Sequence, residues 1–472
     1  MRRVLIALGS MLLATGCGSE NKAPEAGSAG IPLSISGNQI QPVPAVENSP
    51  RKTISQYPDT VRMLLQKANT AVVAGQRGVA IEALSQAISV MPEDSGLFRM
   101  RADVYVLQGE NANARVDFST AIRLAPDNAD CYNYRGYFLM SQGLQNEAAA
   151  DFEKAIQLNP AHAAALNNRG LLTLTKNDYK SAESDFTKAI DSDRKFADAW
   201  NNRGFARLKL EQYDLALADL QQALRIKENY VTAWNNCGLV YMEQTKYEDA
   251  LHAFTRAMQL EPMDTRWLSH HRAALLKLNR FPEAQKDSAK IAWLEQLNQL
   301  SQQAIRNARN PEAWIVRGKH LMNGSQYGAA IQDFTRALIV NPGNSDALKG
   351  RASAWMATGD LQKAMLDCDE SIVVKASQDA YSLRGDLWML LENLDNAITD
   401  FETAGRFDEA VAIAYEKRAE HRRDAGLADD AKSDIDRAQE IRNALLGNRD
   451  SSKPLQSADG FDPANDGPSS TN

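Results

Sequence analysis

The chain repeats itself most plainly at residues 163–230. Residues 163–196 read AAALNNRGLLTLTKNDYKSAESDFTKAIDSDRKF, and residues 197–230 read ADAWNNRGFARLKLEQYDLALADLQQALRIKENY. The string NNRG returns after 34 residues, and Pro92, Pro126 and Pro160 keep the same 34-residue interval upstream. A constant interval of this size is typical of an array in which each unit is one small supersecondary motif. The body of the chain is therefore predicted to be a repeat array.

Within a unit numbered from position 1 to position 34, small and large residues occupy fixed places. Small residues stand at positions 8, 20 and 27, as in Gly204, Ala216 and Ala223, and an aromatic residue or Leu stands at positions 4 and 24. Positions 4, 8 and 11 share one stripe of a helix, and positions 20, 24 and 27 share one stripe of a second helix. Gly or Asn near position 15, such as Gly143 and Asn177, breaks the chain between them. Each unit is predicted to be a helical hairpin.

This pattern resembles the tetratricopeptide-repeat family along nearly the whole body. The resemblance implies an all-α fold, a right-handed superhelical solenoid of helix-turn-helix repeats. Eleven units are expected, beginning near residues 61, 95, 129, 163, 197, 231, 265, 311, 345, 378 and 412. Individual units depart from the pattern, as where Arg272 stands in place of the small residue at position 8.

About a dozen surplus residues separate the units at 265 and 311. The stretch 282–309 predicts one long helix that ends before Pro311. Because a solenoid buries its core only between neighbouring repeats, an oversized helix is expected to mark a boundary between blocks. The array is therefore predicted to consist of residues 58–310 and 311–446.

The N-terminus has the features of an export signal. Arg2 and Arg3 precede an apolar run, and residues 1–16 end at a Gly-Cys junction. The run is too short to span a bilayer, so a cleaved signal peptide is predicted. Residues 13–17 resemble the lipobox of bacterial lipoproteins, which implies acylation of Cys17, and the absence of Asp after the Cys implies, by resemblance to Gram-negative lipoproteins, the outer membrane facing the periplasm. An ordinary signal peptide with an incidental Cys is the alternative.

Two segments flanking the array have the composition of disordered chain. Residues 17–57, after the predicted lipid, are rich in Gly, Ser, Pro and Asn and are predicted to be a tether. Residues 447–472 have a similar composition and are predicted to be a disordered tail.

Composition and motifs exclude several function classes. The net charge of -7 disfavours nucleic acid, because phosphate binding needs a clustered basic surface. Phosphate loops, zinc-binding His pairs and nucleophile elbows are missing from the sequence, so no catalytic residue, metal ligand, cofactor or small-molecule substrate is assigned. Cys131, Cys237 and Cys368 are sparse and odd in number, which predicts three buried thiols instead of a disulfide framework.

Eight units carry Arg at position 7 and Asp at position 23, beginning with Arg101 and Asp117. The exceptions at position 7 are Lys67, Cys237 and His271, and two of these three units also lack the Asp. The two positions lie equally far from the hairpin turn, so their side chains should stand level on antiparallel helices. A basic ligand track is one interpretation, but the co-occurrence favours a repeated structural ion pair.

The candidate partner-binding residues lie on the first helices of the four units from 129 to 262. Asn occupies positions 5 and 6 of three consecutive units, and apolar residues occupy position 9, where solvent exposure is expected. The Asn series resembles the asparagine ladder by which some family members hold peptides. An alternative is that Asn supports packing between units and that neighbouring helices cover the apolar residues. The candidates are Asn167, Asn168, Asn201, Asn202, Asn235, Asn236, Tyr137, Leu171, Phe205 and Leu239.

These features predict a non-catalytic adaptor that is anchored to the bacterial envelope and recruits partner proteins or peptides through the concave groove. A permanent structural subunit of an outer-membrane machine, such as a pilus, secretion or envelope-assembly complex, is the alternative function. Co-purification at high salt separates the two, because an adaptor exchanges its partners and a structural subunit does not.

Lipidation of Cys17 is directly testable by intact mass. Membrane-extracted protein should begin at Cys17 and carry the mass of attached acyl chains, and Cys17→Ala should leave the membrane because stable anchoring needs two or more chains. A mature N-terminus elsewhere, or a Cys17→Ala protein that stays in membranes, would exclude the lipid anchor.

Overall fold

A computed structural model describes residues 56–449, which form 22 helices without a strand in that range. The predicted signal peptide, Cys17, most of the tether and the tail from residue 450 lie outside the described residues. The tether prediction was wrong at its end, because Tyr57 is 6% exposed and its hydroxyl donates a hydrogen bond to Asp94. The predicted tail also starts too early, since the last helix continues to Arg449.

The helices divide between two compact units, residues 1–262 and 263–472. The described part of the first unit contains α1 (Asp59–Val73), α2 (Arg77–Val90), α3 (Ser95–Gln108), α4 (Asn111–Leu124), α5 (Ala129–Ser141), α6 (Gln145–Leu158), α7 (Ala163–Thr175), α8 (Tyr179–Ser192), α9 (Ala197–Lys209), α10 (Tyr213–Ile226), α11 (Val231–Glu243) and α12 (Tyr247–Leu260). The described part of the second contains α13 (Thr265–Lys277), α14 (Phe281–Arg306), α15 (Pro311–Asn323), α16 (Tyr327–Val340), α17 (Ser345–Ala357), α18 (Leu361–Val374), α19 (Gln378–Leu390), α20 (Leu394–Thr403), α21 (Glu409–Asp424) and α22 (Ala428–Arg449).

Each odd-numbered helix packs on the next even-numbered helix, so the 22 helices make the eleven predicted hairpins. The turn at position 15 has a positive φ in every repeat. Gly75, Gly109, Gly143, Gly359 and Gly426 supply it without a steric penalty, whereas other repeats place Asn, Ser, Thr or Glu there. The predicted break near position 15 is confirmed.

Close contact between the two helices of a hairpin depends on the small residue at position 8. A Cβ built on Gly170 would lie 2.7 Å from Cε1 of Phe186, the fully buried ring at position 24 of the same repeat. The same relation joins Gly136 to Phe152 and Gly318 to Phe334. The ring therefore packs directly on the backbone of the first helix.

The predicted long helix is present as α14, but it does not mark the boundary between the two compact units. The units divide between Pro262 and Met263, not at the predicted boundary between residues 310 and 311. The surplus residues lengthen α14, which still packs on both α13 and α15. Trp293 of α14 stacks on His320 of α15 with ring centroids 5.2 Å apart, and His320 Nε2 lies 2.9 Å from the Trp293 carbonyl oxygen. In residues 56–449, no helix is long and apolar enough to cross a bilayer.

Replacement of Gly170 by Ala should destabilise the array. The added methyl group collides with Phe186, and overpacking of this kind costs about 1–3 kcal/mol. Gly328→Ala is the matched control, because nothing lies within 4 Å of its Cβ and the change should stabilise α16 by about 0.5–1 kcal/mol. Thermal unfolding followed by circular dichroism measures both. Equal shifts for the two variants would contradict the close-contact explanation.

Candidate functional site

All eight Arg–Asp pairs predicted from the sequence are formed. In each, Arg Nε and Nη2 donate to the two carboxylate oxygens of an Asp 16 residues further along, at N···O distances of 2.5 to 3.0 Å. The pairs are Arg101–Asp117, Arg135–Asp151, Arg169–Asp185, Arg203–Asp219, Arg317–Asp333, Arg351–Asp367, Arg384–Asp400 and Arg418–Asp434. The prediction of structural ion pairs is confirmed.

These pairs are built into the fold. Every one of the eight Asp residues is at most 5% exposed. The hydrogen bond to Asp185 raises the pKa of the Arg169 guanidinium above its ordinary value. In several repeats Arg Nη1 also reaches position 25 of the preceding repeat, as from Arg203 to the Thr187 hydroxyl at 3.2 Å. The guanidinium thus joins its own hairpin to the one before it, and it does not form a free basic track.

The guanidinium often covers the aromatic ring at position 4. Arg203 lies 4.8 Å from the centroid of Trp200, and Arg317 lies 5.0 Å from the centroid of Trp314. Phe98, Tyr381 and Tyr415 are covered by the arginines of their own repeats in the same way. Cation–π attraction adds to the ion pair at these positions.

Three repeats lack the Arg; one keeps the Asp at position 23, and the other two have Ala there. His271 keeps its partner, with Nδ1 2.6 Å from a carboxylate oxygen of Asp287. The repeat with Lys67 at position 7 has Ala83 at position 23. The repeat with Cys237 at position 7 has Ala253 at position 23. Because both members of the pair are missing in these two repeats, no buried Asp is left without its Arg.

The candidate Asn residues bind one another between repeats. Asn168, Asn202 and Asn236 at position 6 each donate through Nδ2 to Oδ1 of an Asn at position 5 of the preceding repeat, namely Asn133, Asn167 and Asn201, at 2.9 Å. Asn167, Asn168, Asn201, Asn235 and Asn236 are at most 5% exposed, and Asn202 is half-buried. The arrangement matches the alternative in which Asn supports packing between units. Their removal is expected to lower stability, since each lost partner leaves a buried amide unsatisfied.

The apolar residues at position 9 are less exposed than expected. Phe205 is 9% exposed and belongs to the core of its unit, and Leu171 and Leu239 are partly buried against the same cluster. Tyr137 is partly buried against the cluster of α3 to α7 that contains Phe138 and Phe152. Phe205 is therefore not part of a solvent-facing apolar floor, whereas Tyr137, Leu171 and Leu239 remain partly exposed.

The thiols are buried, as the sequence predicted. Cys131, Cys237 and Cys368 are free, and burial raises the pKa of Cys237 and of Cys368 to about 12. No group of His, Cys, Asp and Glu side chains in the described residues could hold a metal ion.

Family comparisons agree with this geometry. Tetratricopeptide-repeat models match residues 102–143 and 206–245, 129–162 and 231–264, 163–196, and 315–380. The chain is a tetratricopeptide-repeat protein. The repeats support a protein-interaction scaffold as the general class of function.

The tetratricopeptide array is similar to parts of several known proteins. The DnaJ homolog subfamily C member 7 homolog of Dictyostelium discoideum is 25% identical over 159 residues, which cover 33% of this chain and 30% of the relative. Among crystal structures, YrrB, a tetratricopeptide-repeat protein with an unusual peptide-binding site, is 21% identical with a TM-score of 0.33, covering 40% of this chain and 98% of YrrB. PilW, a widely conserved type IV pilus biogenesis factor, is 17% identical with a TM-score of 0.40, covering 46% of this chain and 100% of PilW.

Breaking one ion pair from the carboxylate side should destabilise the array strongly. Asp185→Ala leaves the partly buried Arg169 guanidinium without its acceptor, and the expected loss is about 3 kcal/mol. Glu283→Ala is the control, because its pair with Arg280 is exposed and worth less than about 1 kcal/mol. Denaturant unfolding measures both losses. An Asp185→Ala protein as stable as the control would mean that the Arg–Asp pairs contribute little to stability.

Proposed function

We propose that this chain is a non-catalytic adaptor, anchored to the bacterial envelope through acylated Cys17, that recruits partner proteins. The observation that carries the proposal is the array of eleven tetratricopeptide hairpins. Its repeated surface can contact an extended or helical partner at several places at once. The signal peptide and the lipobox resemblance at residues 13–17 support the anchor.

Partner contact is assigned to the first helices α5, α7, α9 and α11. The accessible edges of Tyr137, Leu171 and Leu239 offer apolar contact there. The Asn amides are engaged between repeats, so apolar contact, not an amide ladder, is the main attraction that we propose for this face. Position 9 of the last four repeats carries Lys319, Ser353, Asp386 and Glu420 instead, which offer no comparable apolar side chain.

The adaptor proposal is tested by photo-crosslinking in intact cells. A photo-reactive phenylalanine placed at Tyr137 should capture partner protein, because this side chain lies on the proposed contact face. The matched control is Tyr179, a partly buried tyrosine on the second helix α8, which should capture little. In a separate co-purification without crosslinking, high salt should release an exchangeable partner. Equal capture at both sites would remove the first-helix face from the proposal, and a stoichiometric partner retained in high salt would favour a permanent subunit.

A further inference from the structure

The repeat that begins at residue 231 lacks three groups that its predecessor brings together. In the repeat at 197, Arg203 binds Asp219 and reaches Thr187 in the preceding hairpin. In the repeat at 231, Cys237 stands at position 7 and Ala253 at position 23. Gln221 stands at position 25 of the repeat before it. The Cys237 thiol is 3% exposed, and burial keeps it protonated by raising its pKa to about 12. The site has therefore lost both charges of the pair.

A pocket of about 450 Å³ lies at this place, among α10, α11 and α12 of the first unit. Gln221, Cys237 and Ala253 line it, together with Trp234 at position 4. These four residues are the positional equivalents of Thr187, Arg203, Asp219 and Trp200. The pocket thus lies at the place equivalent to that of the Arg203 guanidinium in the neighbouring repeat.

The aromatic ring of the site is kept although its cation is gone. Trp200 and Trp314 are each covered by the arginine of their own repeat, whereas no Lys or Arg lies over Trp234 within the described residues. The indole N–H of Trp234 donates to the Glu228 carbonyl at 3.0 Å, which holds the ring in place. The His252 ring meets the same indole at a steep angle, with ring centroids 6.4 Å apart. An indole without a Lys or Arg over it can attract a cation through its face.

The charges at the pocket also favour a cation. The carboxylates of Glu228 and Asp249 line it, and neither forms an ion pair with another residue in the range 56–449. Arg225 is the one permanently cationic side chain among the lining residues, and its Nε donates to Gln222 at 2.8 Å. Leaving His252 aside, the lining carries a net charge of -1, from two carboxylates and one guanidinium.

We propose that this pocket binds the guanidinium group of an arginine side chain supplied by a partner protein, over the face of Trp234 and beside Glu228 and Asp249. The bound side chain would take the place that Arg203 takes in the preceding repeat. This proposal rests on the proposed adaptor function, because the partner protein supplies the arginine.

The test uses the full chain labelled with 5-fluorotryptophan and a blocked peptide, acetyl-Gly-Arg-Gly-amide, as the probe. Fluorine NMR resolves the seven tryptophans, and Trp234→Phe assigns the signal of interest. The Trp234 signal should shift saturably with the arginine peptide. The same peptide with citrulline, which is isosteric and uncharged, should bind about tenfold more weakly, because it lacks the charge. The Trp200 signal is the internal control and should not move, since Arg203 already covers that ring.

Two double variants test whether the arginine peptide binds in this pocket. Cys237→Arg with Ala253→Asp rebuilds the ion pair of the neighbouring repeats and should abolish the shift by filling the pocket. Glu228→Gln with Asp249→Asn alters exposed carboxylates only and should weaken binding without changing the unfolding temperature. Equal binding of the arginine and citrulline peptides, tighter binding of a phenylalanine peptide, or an undiminished shift in the filled variant would overturn the proposal.

Failure of this site and failure of the adaptor function are distinguishable. The probe needs no natural partner, so capture at Tyr137 without any Trp234 shift would reject the pocket alone. A specific Trp234 shift without capture at Tyr137 would support the pocket and count against the proposed first-helix contact face.

Discussion

In most repeats, the packing of the large side chain at position 24 on the small residue at position 8 sets the spacing of the two helices on which the rest of the array depends. Arg169 stands next to Gly170 on α7, and Asp185 stands next to Phe186 on α8. The ring of Phe186 can reach the backbone at Gly170 only when the helices approach closely, and at that separation the Arg169 fork meets both oxygens of Asp185. Apolar packing and the ion pair therefore require the same geometry. Since a buried charge without its partner is costly, a hairpin with either group displaced is strongly disfavoured.

Contacts between successive first helices vary in chemistry along the array. In the first unit, amide hydrogen bonds such as Asn202 to Asn167 join successive first helices. In the second unit, position 5 of the repeat at 311 is Ile315, which is fully buried, and apolar packing takes the place of the amide bond. Within each unit, each repeat contacts its neighbours along the chain, so stability accumulates from hairpin and interface contributions. A change at one interface is consequently felt locally, which allows a single repeat to lose its ion pair.

The repeat at 231 illustrates how such a loss can be tolerated. Cys237 and Ala253 remove both charges together, and the remaining groups are neutral or lie at the rim. The hairpin keeps Gly238 against Phe254, so the helices still pack as in the other repeats. What remains is a pocket beside an indole ring over which no Lys or Arg of the described residues lies. The neighbouring repeat shows which groups normally stand at this place, namely the paired side chains of Arg203 and Asp219.

The sequence by itself determined the all-α fold, the eleven hairpins and the pairing of Arg with Asp. All three follow from spacing along one chain segment: the period of 34 residues, the stripes of small and large residues, and two groups equally distant from a turn. Only the tertiary structure decided the burial of Asn168, the cover over Phe205, the division after Pro262 and the pocket beside Trp234. Each of these depends on how closely one repeat packs on the next. Spacing within a helix predicts which face a side chain occupies, but the distance to a neighbouring repeat is set by many side chains packing at once.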